Sequence, residues 1–342
     1  MSNKSKTLII TTIVIIALVA FVFYQNNNKT ETSTNNNSKE TDTVVIGYQT
    51  GVDPTKVAQA DGEFEKNSSQ SIEWKKFDTG ADVVNALASG DVNIGNIGTS
   101  PLAAAASRNL PIEVFFIAAK LGGSEALVVS NRSGIKSPQD LKGKTIAVPF
   151  VSTAHYSLLS ALKHWVIEDS QVKIVNLRPP EISAAWERGD IDAAYVWEPA
   201  LSKAAETGKV LTDSKQVGEW GAPTYDVWVV RKDFAEKNPE FLKSFIQTSL
   251  AKIDEYNQDP KAFESNQAYL AKIAQLTGSE AKDIPLLLSG NIYLNKADQF
   301  QNLDQSFAQD IFNTASFLKT QGKVDQVKES YKENTNANFL KP

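Results

Sequence analysis

Three short segments place hydroxyl and amide side chains where an apolar run gives way to the start of a helical pattern. They are Tyr48-Gln49-Thr50, Gly98-Thr99-Ser100-Pro101 and Val151-Ser152-Thr153-Ala154. In open α/β sheets, ligands bind beyond the carboxyl ends of the strands, where helix N-termini present free N–H groups and a partial positive charge. Gln49, Thr99, Ser100, Ser152 and Thr153 are therefore candidate neutral donors to an anion with tetrahedral oxygens, and His155 is placed to add one more from the first helical turn. The same hydroxyls also suit plain helix caps. A second group is acidic and aromatic: Tyr195, Trp197, Glu198, Tyr225, Asp226 and Trp228. A carboxylate such as Asp226 beside an aromatic face such as Trp197 suits an ammonium group, the aromatic contact contributing about 0.5–2 kcal/mol. Asp226 fits a turn or cap equally well, and strand alternation assigns Trp228 to packing. Glu198 precedes Pro199 and is expected to point away from a ligand, while His164 suits packing or surface.

Composition narrows the chemistry. The chain has 342 residues, long enough for two domains, and a net charge of −5 with no basic stripe, which argues against nucleic acid. It has no cysteine, hence no disulfide and no thiolate, and its two histidines are too few for most zinc sites. Neither a P-loop nor GxGxxG is present, which disfavours a nucleotide, and neither GxSxG nor HExxH is present. No cofactor or metal is implied. Reversible binding explains these residues better than catalysis does, with an exported enzyme as the remaining alternative.

One phrase occurs twice: VVNALASGDVNIGNIGTSP (83–101) and ISAAWERGDIDAAYVWEP (182–199), with Asp91 aligned on Asp190. Each copy reads as an amphipathic helix, a Gly-Asp turn, an apolar strand and a loop ending at proline, a plan suited to two similar lobes around a cleft. A second mirroring accompanies it. EALVVSN (125–131) and PTYDVWVVRKDF (223–234) each set a polar or acidic residue before an apolar strand, and these two strands are expected to cross between the lobes as a hinge. Strands are expected at TVVIGYQT, SIEWKKF, VNIGNIG, IEVFFIAAK, TIAVPF and KIVNLRP. Beyond Asn238 the pattern is helical, with breaks near Pro260, Gly278 and Gly290. Alternating strands and helices imply mostly parallel sheets. The expected division is lobe one at 44–127 plus 226–342 and lobe two at 128–225.

The N-terminus follows a different logic. Lys4 and Lys6 precede an uncharged apolar run over 7–24, which reads as a signal peptide or an uncleaved membrane anchor; Leu18-Val19-Ala20 is the best cleavage candidate. Residues 25–43 are a polar linker expected to be disordered. The folded part is expected outside the cytoplasmic membrane.

The stretches VVIGYQTGVDPTKVAQADG, FDTGADVVNALASGDVNIGNIGTSPLAAAAS, IAVPFVSTAHYSLLSALKHW, IVNLRPPEISAAWERGDIDAAYVWEPA and QVGEWGAPTYDVWVVRKDF closely resemble the taurine-binding proteins of bacterial taurine ABC importers, within the wider sulfonate, nitrate and taurine group. FVSTAHYSLL and GAPTYDVWVVRKDF are the stretches most particular to the taurine branch. The likeness runs from about residue 44 nearly to the C-terminus and is weakest in the helical tail. It implies a two-lobed type II periplasmic binding-protein fold with a helical tail. The implied partners are taurine or a related sulfonate, a membrane permease and its ATPase. The chain would be a monomer in the periplasm, free or tethered to the inner membrane. By that likeness Asp226 takes the taurine ammonium; Gln49, Thr99, Ser100, Ser152, Thr153 and His155 surround the sulfonate; and Trp197 lies on the wall. An alkanesulfonate or another small anion is the alternative ligand.

Overall fold

The computed structural model describes residues 43–341. The apolar N-terminal segment, and the linker up to residue 42, lie outside the described residues. In chain order the strands are β1 (Val44–Tyr48), β2 (Ile72–Lys76), β3 (Ile94–Gly98), β4 (Ile112–Lys120), β5 (Glu125–Ser130), β6 (Thr145–Val148), β7 (Lys173–Asn176), β8 (Ala193–Trp197), β9 (Gly208–Asp213) and β10 (Tyr225–Arg231). The helices are α1 (Thr55–Ala60), α2 (Glu63–Ser68), α3 (Gly80–Ser89), α4 (Thr99–Ser107), α5 (Thr153–His164), α6 (Pro179–Arg188), α7 (Ala200–Ala205), α8 (Ser214–Glu219), α9 (Lys232–Lys237), α10 (Pro239–Gln258), α11 (Pro260–Ser265), α12 (Gln267–Thr277), α13 (Ile284–Ser289), α14 (Lys296–Gln301) and α15 (Phe307–Thr320). No helix among the described residues is long and apolar enough to cross a membrane.

The strands form two sheets of the same design, β2-β1-β3-β10-β4 and β7-β6-β8-β5-β9. The two copies of the repeated phrase contribute β3 and β8, each the middle strand of its sheet. The glycine that ends each preceding helix, Gly90 or Gly189, takes the left-handed conformation (φ 87° and 80°) that a side chain disfavours, and so turns the chain into the strand. In each sheet the first three strands pair in parallel, and one reversed strand, β10 or β5, pairs antiparallel with the neighbours on both sides. The expectation of mostly parallel sheets thus needs refinement. Each reversed strand arrives from the other sheet, so no βαβ crossover fixes its direction. β9, for which the sequence raised no expectation, is the edge strand beside β5. β5 hydrogen-bonds only in the second sheet and β10 only in the first, so the chain passes between sheets in the segments 121–124 and 220–224.

The first sheet and the C-terminal helices share one large apolar core, and β5, β6 and α5 build a second around Leu127, Ile146, Leu158 and Tyr195. Contacts also join groups on opposite sides of the cleft. Arg178, at the start of α6, pairs with Asp82 of α3 and lies 3.7 Å from Asp78. Tyr156 of α5 meets Phe317 of α15 edge to face at 4.8 Å.

Candidate functional site

A narrow cleft, with free space of about 40 Å³, lies where the carboxyl ends of the two middle strands face each other. Gln49, Gly98, Ser152, Thr153, Trp197, Glu198 and Asp226 line it, and so does Glu125. Among the described residues, no arginine or lysine does. The approach across the cleft is close at Gly98, where a Cβ would stand 2.6 Å from Thr153 Cγ2. Any larger residue there would prop the two sides apart.

The acidic pole comes from strand register. Asp226 pairs with Gly98, the last residue of β3, and Glu125 pairs with Trp197, the last residue of β8. The two carboxylates therefore hold equivalent positions in the two sheets and both face the cleft. Glu125 is a lining residue that sequence reasoning did not place in the site, as are Ser124 and Asn291. The mirroring of 125–131 on 223–234 held the signal, because it aligns Glu125 with Asp226. Glu125 is buried and accepts hydrogen bonds from Thr153 Oγ1 at 2.5 Å and Ser214 Oγ at 2.7 Å. Burial pushes its carboxyl up to about 7; those two bonds oppose the rise and the nearby Asp226 adds to it. Burial also pushes Asp226 up to about 7, helped by Asp53 and opposed by Lys56. Lys56 is itself buried behind the cleft, 3.6 Å from Asp53 and over the Tyr48 ring. It partly balances this negative charge without entering the cleft.

The hydroxyl pole differs in detail from the sequence expectation. Gln49 lines the cleft and gives one N–H to the Asn96 carbonyl at 3.1 Å. Ser152 lines the cleft and caps α5, accepting from the His155 N–H at 3.1 Å. Thr99 and Ser100 are fully buried behind Gly98, in the first turn of α4. Thr99 Oγ1 accepts from the Tyr225 N–H at 3.4 Å, and Ser100 Oγ has no protein partner. The structure does not bring His155 to the cleft. Its ring stacks on Phe150 at 4.7 Å and lines a separate cavity with Lys323. Ser152 and Thr153 line the cleft while His155, in the same turn of α5, lines the other cavity, so sequence adjacency misleads. Burial, with the positive Lys323 adding, pulls His155 down to about 4.

Of the aromatic pole, Trp197 lies on the cleft wall, whereas Tyr195, Tyr225 and Trp228 pack in the cores. Glu198 departs from its expected outward orientation: it is buried and lines the cleft.

A pH dependence follows from these carboxyls. Glu125, Asp226 and Glu198 all sit near 7 against ordinary values of 4.5, 3.8 and 4.5. Between about pH 4 and 7 the unfolded chain gives up protons that the folded protein keeps, so stability falls as pH rises through that window. His155 acts in the opposite sense between about 4 and 6.5, but one group opposes three. Thermal melts of the unliganded protein at about pH 5 to pH 8 are expected to show a falling midpoint, and Asp226→Asn to make the fall shallower.

Two like sheets, one reversed strand in each and a polar cleft between their carboxyl ends define a substrate-binding protein of the ABC-importer type. The chain belongs to that family: residues 42–274 match the substrate-binding domain of ABC-type glycine betaine transport systems. Among curated relatives, the taurine-binding periplasmic protein of Escherichia coli K12 is 54% identical over 297 residues, 87% of this chain and 92% of its own length. A putative aliphatic sulfonates-binding protein of the same organism is 28% identical over 59% of this chain and 63% of its own length. Among solved structures, the periplasmic aliphatic sulphonate binding protein SsuA of Escherichia coli superposes with a TM-score of 0.70 at 22% identity, covering 87% of this chain and 98% of its own.

Proposed function

We propose that this chain is the extracytoplasmic substrate-binding subunit of an ABC importer, that it reversibly binds taurine (2-aminoethanesulfonate), and that it delivers taurine to a permease and its ATPase for sulfur supply. The observation that carries the reading is the pair of carboxylates, Asp226 and Glu125, in a cleft that no arginine or lysine lines among the described residues. Such a pair calls for a cationic ligand group, and a small ammonium meets Asp226 with Glu125 beside it and Trp197 on the wall. The sulfonate then lies toward Gln49, Ser152 and Thr153, near the start of α5, with Thr99 and Ser100 supporting the Gly98 turn from behind. The lobes divide near 121–124 and 220–224, a few residues from the boundaries expected at 127/128 and 225/226. The subunit works as a monomer in the periplasm, free or held to the inner membrane by its N-terminal segment, and as a carrier without turnover. The 54% identity to a taurine-binding protein supports the choice of ligand over an alkanesulfonate.

Calorimetric titration with taurine, ethanesulfonate and β-alanine tests this. Taurine is expected to bind at about micromolar Kd or tighter, with both competitors at least about tenfold weaker. Equal binding of ethanesulfonate would remove the ammonium pole and move the protein to the general sulfonate binders.

A further inference from the structure

The hydroxyls that look like natural donors to an anion are already donating to the protein. Thr50 Oγ1 gives its proton to the Glu198 carbonyl at 2.8 Å, and Ser124 Oγ gives its proton to Asn291 Oδ1 at 2.6 Å. Ser152 Oγ donates to the Pro149 carbonyl at 2.6 Å, and Thr153 Oγ1 to the Glu125 carboxyl at 2.5 Å. A hydroxyl has a single proton, so these four have none left for a ligand oxygen. With no arginine or lysine in the lining among the described residues, side-chain donors to an anion reduce to the amides of Gln49 and Asn291 and the Trp197 indole N–H. Each of three sulfonate oxygens can accept more than one hydrogen bond, so a further side-chain donor in the cleft has acceptor positions to fill.

Among the described residues that line the cleft, Glu198 is the carboxyl with a buried, unpartnered oxygen. Glu198 is 1% exposed. Its Oε1 accepts from Ser202 Oγ at 2.8 Å, which fixes the carboxyl, while Oε2 is buried without a partner. An ionised carboxylate held this way would bury charge with one oxygen bare and no cation beside it. Asp283, the charge that acts on it most, has the same sign. A neutral carboxyl fits the same place at far lower cost and presents an O–H.

We propose that Glu198 is a ligand-binding residue that keeps its proton and donates the Oε2–H to an oxygen of the bound anion. This assignment rests on the sulfonate reading and deepens it. Burial pushes the Glu198 carboxyl up to about 7, with the Ser202 bond opposing and Asp283 adding. The groups facing it are Ser202 of α7, Asp283 before α13 and, around the same cleft, Glu125 of β5 and Asp226 of β10. Because Glu125 and Asp226 titrate in the same range, only a comparison of variants isolates Glu198.

Taurine titrations of wild type, Glu198→Gln and Glu198→Leu between about pH 6 and pH 8 make that comparison. Glutamine keeps the Ser202 bond, replaces O–H by N–H and does not titrate. Glu198→Gln is expected within about threefold of wild type at pH 6, and the ratio of wild-type to Gln-variant Kd is expected to grow about tenfold by pH 8, as wild type alone loses its donor. Glu198→Leu is expected to bind at least about tenfold more weakly at pH 6, with an unchanged circular dichroism spectrum. Weakening of the Gln variant at every pH would make Glu198 an ionised acceptor and overturn the proposal. So would a wild-type Kd in the Leu variant, or a Kd ratio flat with pH. Taurine binding with an unaffected Leu variant sinks this assignment alone; failure of wild type to bind taurine sinks the sulfonate reading and the assignment with it.

Discussion

Asp226→Asn is expected to weaken taurine binding about tenfold to a hundredfold, the loss of a charge-assisted pair worth about 1.5–3 kcal/mol. Ethanesulfonate, which has no ammonium, is expected to bind the variant as well as wild type or better, because a repelling charge has gone. The substitution keeps the shape of a side chain whose Oδ2 would stand 3.3 Å from a Cβ at Gly51. It also relieves the repulsion with Asp53 and Glu125 that helps hold these carboxyls near 7. The unliganded variant is therefore expected to melt higher than wild type near pH 8 while binding taurine worse. Opposite signs in calorimetry and in thermal melts distinguish a ligand-binding carboxylate from a structural one, whose removal would lower both. Equal taurine affinity in variant and wild type would show that the ammonium is held elsewhere.

The largest loss of stability is expected at Phe245→Ala, about 3–5 kcal/mol. Phe245 projects from α10 into the first core and is 2% exposed. Its ring meets Trp228 at 5.1 Å and Phe115 at 5.5 Å, both edge to face, and lies tilted against Phe64 at 4.6 Å. Alanine removes three aromatic contacts and leaves a cavity that β4 and β10, held by their ladder, are too rigid to close. Denaturant titration, read through the neighbouring Trp228 and Trp74, is expected to show the earlier midpoint. A change under about 1 kcal/mol would mean that the helical tail contributes little to the first core.

How far the site was legible in the sequence depended on whether the signal was local. The repeated phrase located β3 and β8, and with them the strand ends at Gly98 and Trp197, while Gln49 and the pair Ser152 and Thr153 were legible as small polar residues just after the neighbouring strands β1 and β6. Asp226 was found because an acidic residue beside aromatic ones suggested a cation. Glu125 lacked aromatic company within its own segment, and only its alignment with Asp226 marked it. The reversed direction of β5 and β10 was hidden because strand patterning carries no polarity. His155 was misplaced because sequence adjacency to Ser152 does not specify which side of a helix a residue faces. Glu198 was misjudged from its neighbour Pro199, when its orientation is set by Ser202 one helical turn on.

Asp226 and Glu125 reach the cleft from different sheets. Asp226 adds to the reluctance of Glu125 to ionise, so this arrangement of buried carboxyls with no cation between them works against itself. A cation of the right size removes that opposition and makes the same arrangement favourable. If taurine binds as proposed, the shape of the protein would thereby report the charge of its cargo: a permease that feels only whether the two halves have met would also be informed that a positive group lies inside.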